Sequence, residues 1–176
     1  MLVYARIFLF YRFHKLVWGS QGISSGEKPS GVIVGGADHG NILLFDAAKL
    51  LMGKNDETGG FLLSDSKKHS GAVKALDFNP FQLNLLASGA NQSEIYIWDL
   101  NSPAAPMTPG TLSQPPDDVT CLAWNRQVQH ILASTFATRC VVWDLRKNEP
   151  IIKVCLIEFH LYLNVSKTKY IFWSTG

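Results

Sequence analysis

Two stretches of the chain close on the same three letters. Ile95 to Leu100 reads IYIWDL, Cys140 to Leu145 reads CVVWDL, and Trp98 and Trp143 stand 45 residues apart. Self-similarity at about 40–45 residues with a Trp-Asp ending marks one blade of a β-propeller. Such a blade is a four-stranded sheet that cannot bury both faces alone, so it must stack on neighbours around a channel.

The parts between the endings repeat in the same order. One copy runs from His69 through VKALDFNP and LLASGA to IYIWDL, and the next runs from Val119 through TCLAWN and HILAST to CVVWDL. A weaker copy precedes them, from LVWG (Leu16 to Gly19) through GVIVGG to NILLFD, where Phe45-Asp46 replaces Trp-Asp. Short runs rich in Val, Ile, Leu and aromatics lie between turn residues, at Lys15–Trp18, Gly31–Gly35, Asn41–Asp46, Val73–Phe78, Asn84–Ser88, Glu94–Leu100, Val119–Trp124, His130–Thr135 and Arg139–Leu145. The expected fold is all-β, a partial WD40 propeller of about three four-stranded antiparallel blades out of a presumed seven.

The organisation read from this pattern has an atypical start at 1–11 and a partial propeller at 12–154. Within the propeller fall a degenerate blade at 12–47 and WD repeats at about 66–109 and 114–154. Ala47 to Lys68 and Asn101 to Asp118 read as solvent loops, with one possible helical turn at Ala47 to Met52. The second loop holds five of the eight prolines. Glu149 to Val154 reads as an outer strand that opens the next sequence repeat. Residues 155–176 are apolar and aromatic but lack turn punctuation and a Trp-Asp ending, so they form a non-repeat tail.

Composition excludes several functions. With 47% hydrophobic and 17% charged residues the chain reads as globular, and a net charge of +2 without any run of five like charges leaves no footprint for nucleic acid or an anionic membrane. No stretch approaches the roughly 18 apolar residues of a membrane span. Cys121, Cys140 and Cys155 show neither CxxC spacing nor a nearby His pair, so no metal site is expected, and Cys121 and Cys140 read as small buried hydrophobes.

The residues singled out form a structural blade network: His69, Ser88, Trp98 and Asp99 in one repeat, and Ser134, Trp143 and Asp144 in the next. A Trp indole N–H donating to a Ser hydroxyl, which in turn meets a His, would satisfy groups that cost about 1–3 kcal/mol each when buried unpaired. No His leads into the last repeat, and Gln92 and Ala137 occupy the turn positions where an Asp is customary. Ser88, His69 and Asp99 could be read as a hydrolase triad, but no GxSxG elbow surrounds Ser88. Gly35 to Gly40 follows a strand like a phosphate loop, yet its spacing is wrong and strand follows it, so a hairpin turn is expected. Trp18 and Trp124 are expected in the core between blades. No catalytic, cofactor-binding or metal-binding set emerges, and the chain reads as a non-enzyme.

ASGANQSEIYIWDL (Ala87 to Leu100), PMTPG (Pro106 to Gly110), QPPDDVTCLAWNRQVQHILAS (Gln114 to Ser134) and VVWDLRKNEPIIKV (Val141 to Val154) closely resemble the N-terminal propeller of the large WD40 subunit of the COPII outer coat. RFHKLVWGS (Arg12 to Ser20) is similar to that family's first blades. The resemblance implies a cytosolic scaffold that helps build the cage over vesicles leaving the endoplasmic reticulum for the Golgi. It implies other coat subunits as partners, including the small WD40 outer-coat protein, and a peripheral location at exit sites and COPII vesicles. The alternative is a generic WD40 interaction platform of another complex.

Overall fold

The computed structural model describes residues 11–52, 60–102, 105–112 and 115–155. The atypical start, apart from Tyr11, and the non-repeat tail after Cys155 lie outside the described residues.

Three antiparallel sheets follow one another along the chain. The first consists of β1 (Phe13–Gly19), β2 (Val32–Ala37), β3 (Asn41–Asp46) and β4 (Leu62–Lys67), with a short helix α1 (Ala47–Met52) between β3 and β4. The second holds β5 (Ala75–Phe78), β6 (Leu85–Gly89) and β7 (Ile95–Asp99). The third holds β8 (Cys121–Trp124), β9 (Ile131–Thr135), β10 (Arg139–Asp144) and β11 (Glu149–Cys155). In each sheet the strands are ordered as they occur in the sequence, and the first strands β1, β5 and β8 lie side by side. That is the meander-and-stack arrangement of propeller blades.

Alternation of side chains explains why the middle sheet is apolar on both faces. Leu86 and Trp98 turn toward the first sheet, where Val32, Val34, Ile42 and Leu44 meet them. Ala87 and Ile97 turn the other way, against Leu122, Leu132, Val141 and Trp143 of the third sheet. Each full burial of such a side chain is worth roughly 1.5–3 kcal/mol, and a two-sided sheet collects that gain twice. Each WD tryptophan therefore packs against the sheet that precedes its own.

The aspartates of the WD endings terminate strands. Asp99 Oδ1 accepts the backbone N–H of Asn101 at 2.9 Å, and Asp144 Oδ1 accepts that of Arg146 at 3.0 Å. Asp46 of the degenerate ending does the same one residue further on, accepting from Lys49 N at 3.1 Å and so capping α1. A short carboxylate that captures a nearby amide turns the chain out of the sheet. Phe45-Asp46 thus keeps the aspartate's job although the tryptophan is gone.

Four expectations change. The stretch Ala47 to Lys68 is more than a loop, for it contributes β4 to the first sheet, which therefore reaches beyond residue 47. Its serines and Asp65 hid it, since an edge strand half open to water need not be apolar. Among the described residues the second sheet has three strands rather than four. At its outer edge, among the described residues, only Met107 pairs, exchanging two hydrogen bonds with Ile97 at 2.7 and 2.9 Å. Pro106 and Pro109 beside it have no N–H to give to a ladder. Trp18 is 57% exposed rather than buried between sheets, and Cys121 is exposed because Leu122 and Trp124 take the inward positions of β8.

Close approach between sheets demands glycine at Gly40, where φ is +85° and an added Cβ would lie 1.9 Å from the His69 carbonyl oxygen. Gly40→Ala should lower the stability of the chain by more than about 1 kcal/mol, read as a fall in the urea midpoint. An unchanged midpoint would show that the two loops do not meet this closely.

Candidate functional site

The second sheet carries a buried relay of four side chains. His69 and Ser70 come from the loop leading into β5, Ser88 from β6, Glu94 from the turn before β7 and Trp98 from β7 itself. The Trp98 indole N–H donates to Ser88 Oγ at 2.7 Å, and His69 Nε2 stands 2.7 Å from the same oxygen. His69 Nδ1 meets Glu94 Oε2 at 3.2 Å, and that carboxylate oxygen also accepts the Ser70 backbone N–H at 2.9 Å. A carboxylate beside Nδ1 calls for an N–H there, which leaves Nε2 as the acceptor for the Ser88 hydroxyl proton. One neutral imidazole then satisfies every group from the indole to the carboxylate.

The His69 side chain is fully buried and its ring lies 4.7 Å from that of Tyr96, which in turn stands edge-on to Trp98. Burial pulls the imidazole from its usual 6.5 down to about 4, against the opposing pull of Glu94. Glu94 was not foreseen from the sequence. The customary acid was sought at Gln92, and a longer side chain two residues later reaches the same imidazole. A glutamate opening an otherwise apolar strand was the available signal.

The third sheet is built differently. Trp143 Nε1–H donates to Ser134 Oγ at 2.9 Å, and the serine hydroxyl donates to the Val141 carbonyl at 3.3 Å, without a histidine. In place of the relay stands Arg139, buried at the start of β10 with its guanidinium 4.3 Å above the Phe136 ring. It donates to the Pro115 carbonyl at 2.6 Å and to Ser93 Oγ at 3.2 Å, and faces Asp117 Oδ2 at 3.7 Å. Asp117 in turn accepts the Ala137 N–H at 3.1 Å, while its own carbonyl accepts the Ser93 N–H at 2.7 Å. This cluster stitches the turn of the second sheet to the third. Sequence reasoning missed both Asp117 and Arg139, because the partners come from three separate loops.

Asp99 and Asp144 join neither cluster. Asp99 accepts from Asn84 Nδ2 at 2.8 Å, which holds its carboxyl below the usual range, and the Arg146 guanidinium holds that of Asp144 down at about 2. The triad formed with Asp99 is therefore absent. Ser88, His69 and Glu94 do have the connectivity of a nucleophile, base and orienting acid. Ser88 is nonetheless fully buried, its oxygen is already occupied by the Trp98 indole, and no substrate could reach it. Gly35 to Gly40 runs from β2 into a 3-10 turn at Asp38–Gly40 and back along antiparallel β3, which provides no helix N-terminus for a phosphate.

Ser88→Ala would leave the Trp98 and His69 nitrogens without their partner. It should cost roughly 2–4 kcal/mol in chemical denaturation. A loss below about 0.5 kcal/mol, the size of an ordinary surface change, would deny the relay its role. The pH dependence carries a second signature. Between pH 6.5 and about 4 the unfolded chain holds a proton on His69 that the folded chain does not, so stability rises with pH across that window and levels off above it. Urea midpoints should climb accordingly, and His69→Gln should remove that part of the slope; an unaltered slope in the variant would contradict the assignment.

No family model matches the chain. It is 56% identical over 145 residues to protein transport protein Sec31A of Gallus gallus, a match covering 82% of this chain and 12% of that protein. Protein transport protein Sec31B of Mus musculus is 58% identical over 145 residues, with 81% of this chain and 12% of that protein covered. The chain thus spans about one eighth of the length of these relatives. Among solved structures it is similar to a chain in a structure of COPII on membranes at the outer-coat vertex, with a TM-score of 0.63 and 32% identity over 81% of this chain and 36% of that one. Sheets stacked face to face, paired WDL endings and more than half of the matched residues in common lead to one conclusion: this chain belongs to the Sec31 family.

Proposed function

We propose that the chain acts as a structural part of the COPII coat in the transport of proteins from the endoplasmic reticulum to the Golgi. The observation that carries this reading is the 56% identity to Sec31A over 145 residues, 82% of the chain. Its mode of action is shape. Stacked sheets hold loops and strand edges at set positions, where other coat subunits, the small WD40 outer-coat protein among them, would dock. The site of action is the cytoplasmic face of exit sites and of COPII vesicles, with peripheral attachment; no helix among the described residues is long and apolar enough to cross a membrane.

A non-enzymatic role is supported by the chemistry of the second sheet. Its serine, histidine and carboxylate are spent on internal hydrogen bonds, and the neutral imidazole they require is a folding device. Affinity purification of the tagged chain from cell extract should recover coat subunits. Recovery of chromatin or ubiquitin-ligase subunits without any coat protein would overturn the reading in favour of a WD40 platform in another complex.

A further inference from the structure

At the end of the first strands, where β1 and β5 run out beside the loop after β8, a cleft of about 410 Å³ opens. That size lies within the range of about 300–1,000 Å³ common to ligand clefts. Its apolar walls come from Val17, Trp18, Phe78 and Leu83, and its charged groups are Asp77 and Arg126. Neither the Ser88 relay nor the Arg139 cluster reaches it.

The cleft is held in shape. Phe78 lies flat against the backbone of Gly19, where an added Cβ would come within 2.5 Å of its ring, so the floor is closed by a glycine and an aromatic together. The Trp18 indole is held by donation of its N–H to the Ser30 carbonyl at 2.7 Å, yet the residue remains 57% exposed. A positioned tryptophan left open to water beside other apolar side chains marks an interaction surface. Phe81 and Val128, both exposed, lie on the loops that follow β5 and β8, the first next in sequence to the lining residue Pro80 and the second two residues after Arg126.

The charges are unequal in availability. Asp77 is committed, since its Oδ2 accepts the Trp124 backbone N–H at 2.7 Å. Arg126 is exposed and has no carboxylate within ion-pair distance among the described residues. Lys15 adds a second positive charge near Asp77. A carboxylate arriving at Arg126 would form a charge-assisted hydrogen bond, while an arriving cation would meet the positive charges of Arg126 and Lys15 against the single carboxylate of Asp77, which already lies in the field of both.

We propose that this cleft binds an extended acidic peptide segment, with a bulky apolar side chain against Trp18 and Leu83 and a neighbouring Asp or Glu carboxylate on Arg126. With Trp18 and Leu83 both exposed along it, the cleft suits a chain that passes through rather than an enclosed small molecule. The site does not depend on which assembly the sheets join.

Fluorescence anisotropy with a labelled octapeptide of alternating phenylalanine and glutamate tests the proposal on the full chain. Saturable binding is expected, with Arg126→Ala weakening it about tenfold, the loss of one hydrogen bond to a charged group. Trp18→Ala should weaken it as well, and alternating phenylalanine–lysine or serine–glutamate peptides should bind at least about tenfold more weakly. Because Arg126 is exposed, its variant should melt like the parent, so a lost affinity reports on binding. Absent saturation, equal binding of the lysine peptide, or an Arg126→Ala variant that binds unchanged would each overturn the proposal. Concentration-dependent protection of Trp18 from acrylamide quenching without peptide would seat a second copy in the cleft and overturn it too.

Discussion

One proton arrangement underlies the middle of this molecule. With His69 neutral, the indole of Trp98, the hydroxyl of Ser88, both imidazole nitrogens and the Glu94 carboxylate all find partners. These groups come from a loop, two strands and a turn, so the sheet can bury them only when all four segments are in register. The relay also fixes the loop at His69, whose carbonyl sits so close to Gly40 that no side chain fits there. The contact between the first and second sheets is thereby tied to the hydrogen bonding inside the second.

Around that relay the stability comes from apolar stacking. The second sheet has the fewest strands, yet it serves as the common wall of both main core clusters. Its short β5 and Pro-limited outer edge matter little to this task, because the burial lies on its two faces rather than along its rim. The third sheet lacks the histidine relay and relies on Arg139 and Asp117 at its junction with the second. A guanidinium has enough donors to hold a carbonyl, a hydroxyl and a carboxylate together, which a neutral imidazole does not. The second sheet is thus tied internally through a neutral imidazole, and its junction with the third through a guanidinium.

This division of labour bears on function. The hydroxyl and imidazole of Ser88 and His69 are buried and occupied, whereas the open features among the described residues include strand edges, loops and the cleft beside Trp18. Stacked sheets of this design hold surfaces at fixed spacing, which is the basis of the scaffold role proposed for this member of the Sec31 family. The strand-ending aspartates set that spacing by turning the chain at the same point of each sheet, including the one where phenylalanine has replaced tryptophan.

The sequence by itself determined the repeat, the order of its parts, most strands to within a residue or two and the meeting of Trp98 with Ser88 and His69. These follow from periodicity and from the local demand of buried polar groups for partners, both of which are written along the chain. Only the tertiary structure decided the rest. Glu94, Asp117 and Arg139 find their roles through segments far apart in sequence, β4 is a strand because β3 offers an edge for its polar residues, and Trp18 is open because of the surface it sits on. Exposure and long-range pairing depend on what stands across the space from a residue, and no local pattern records that.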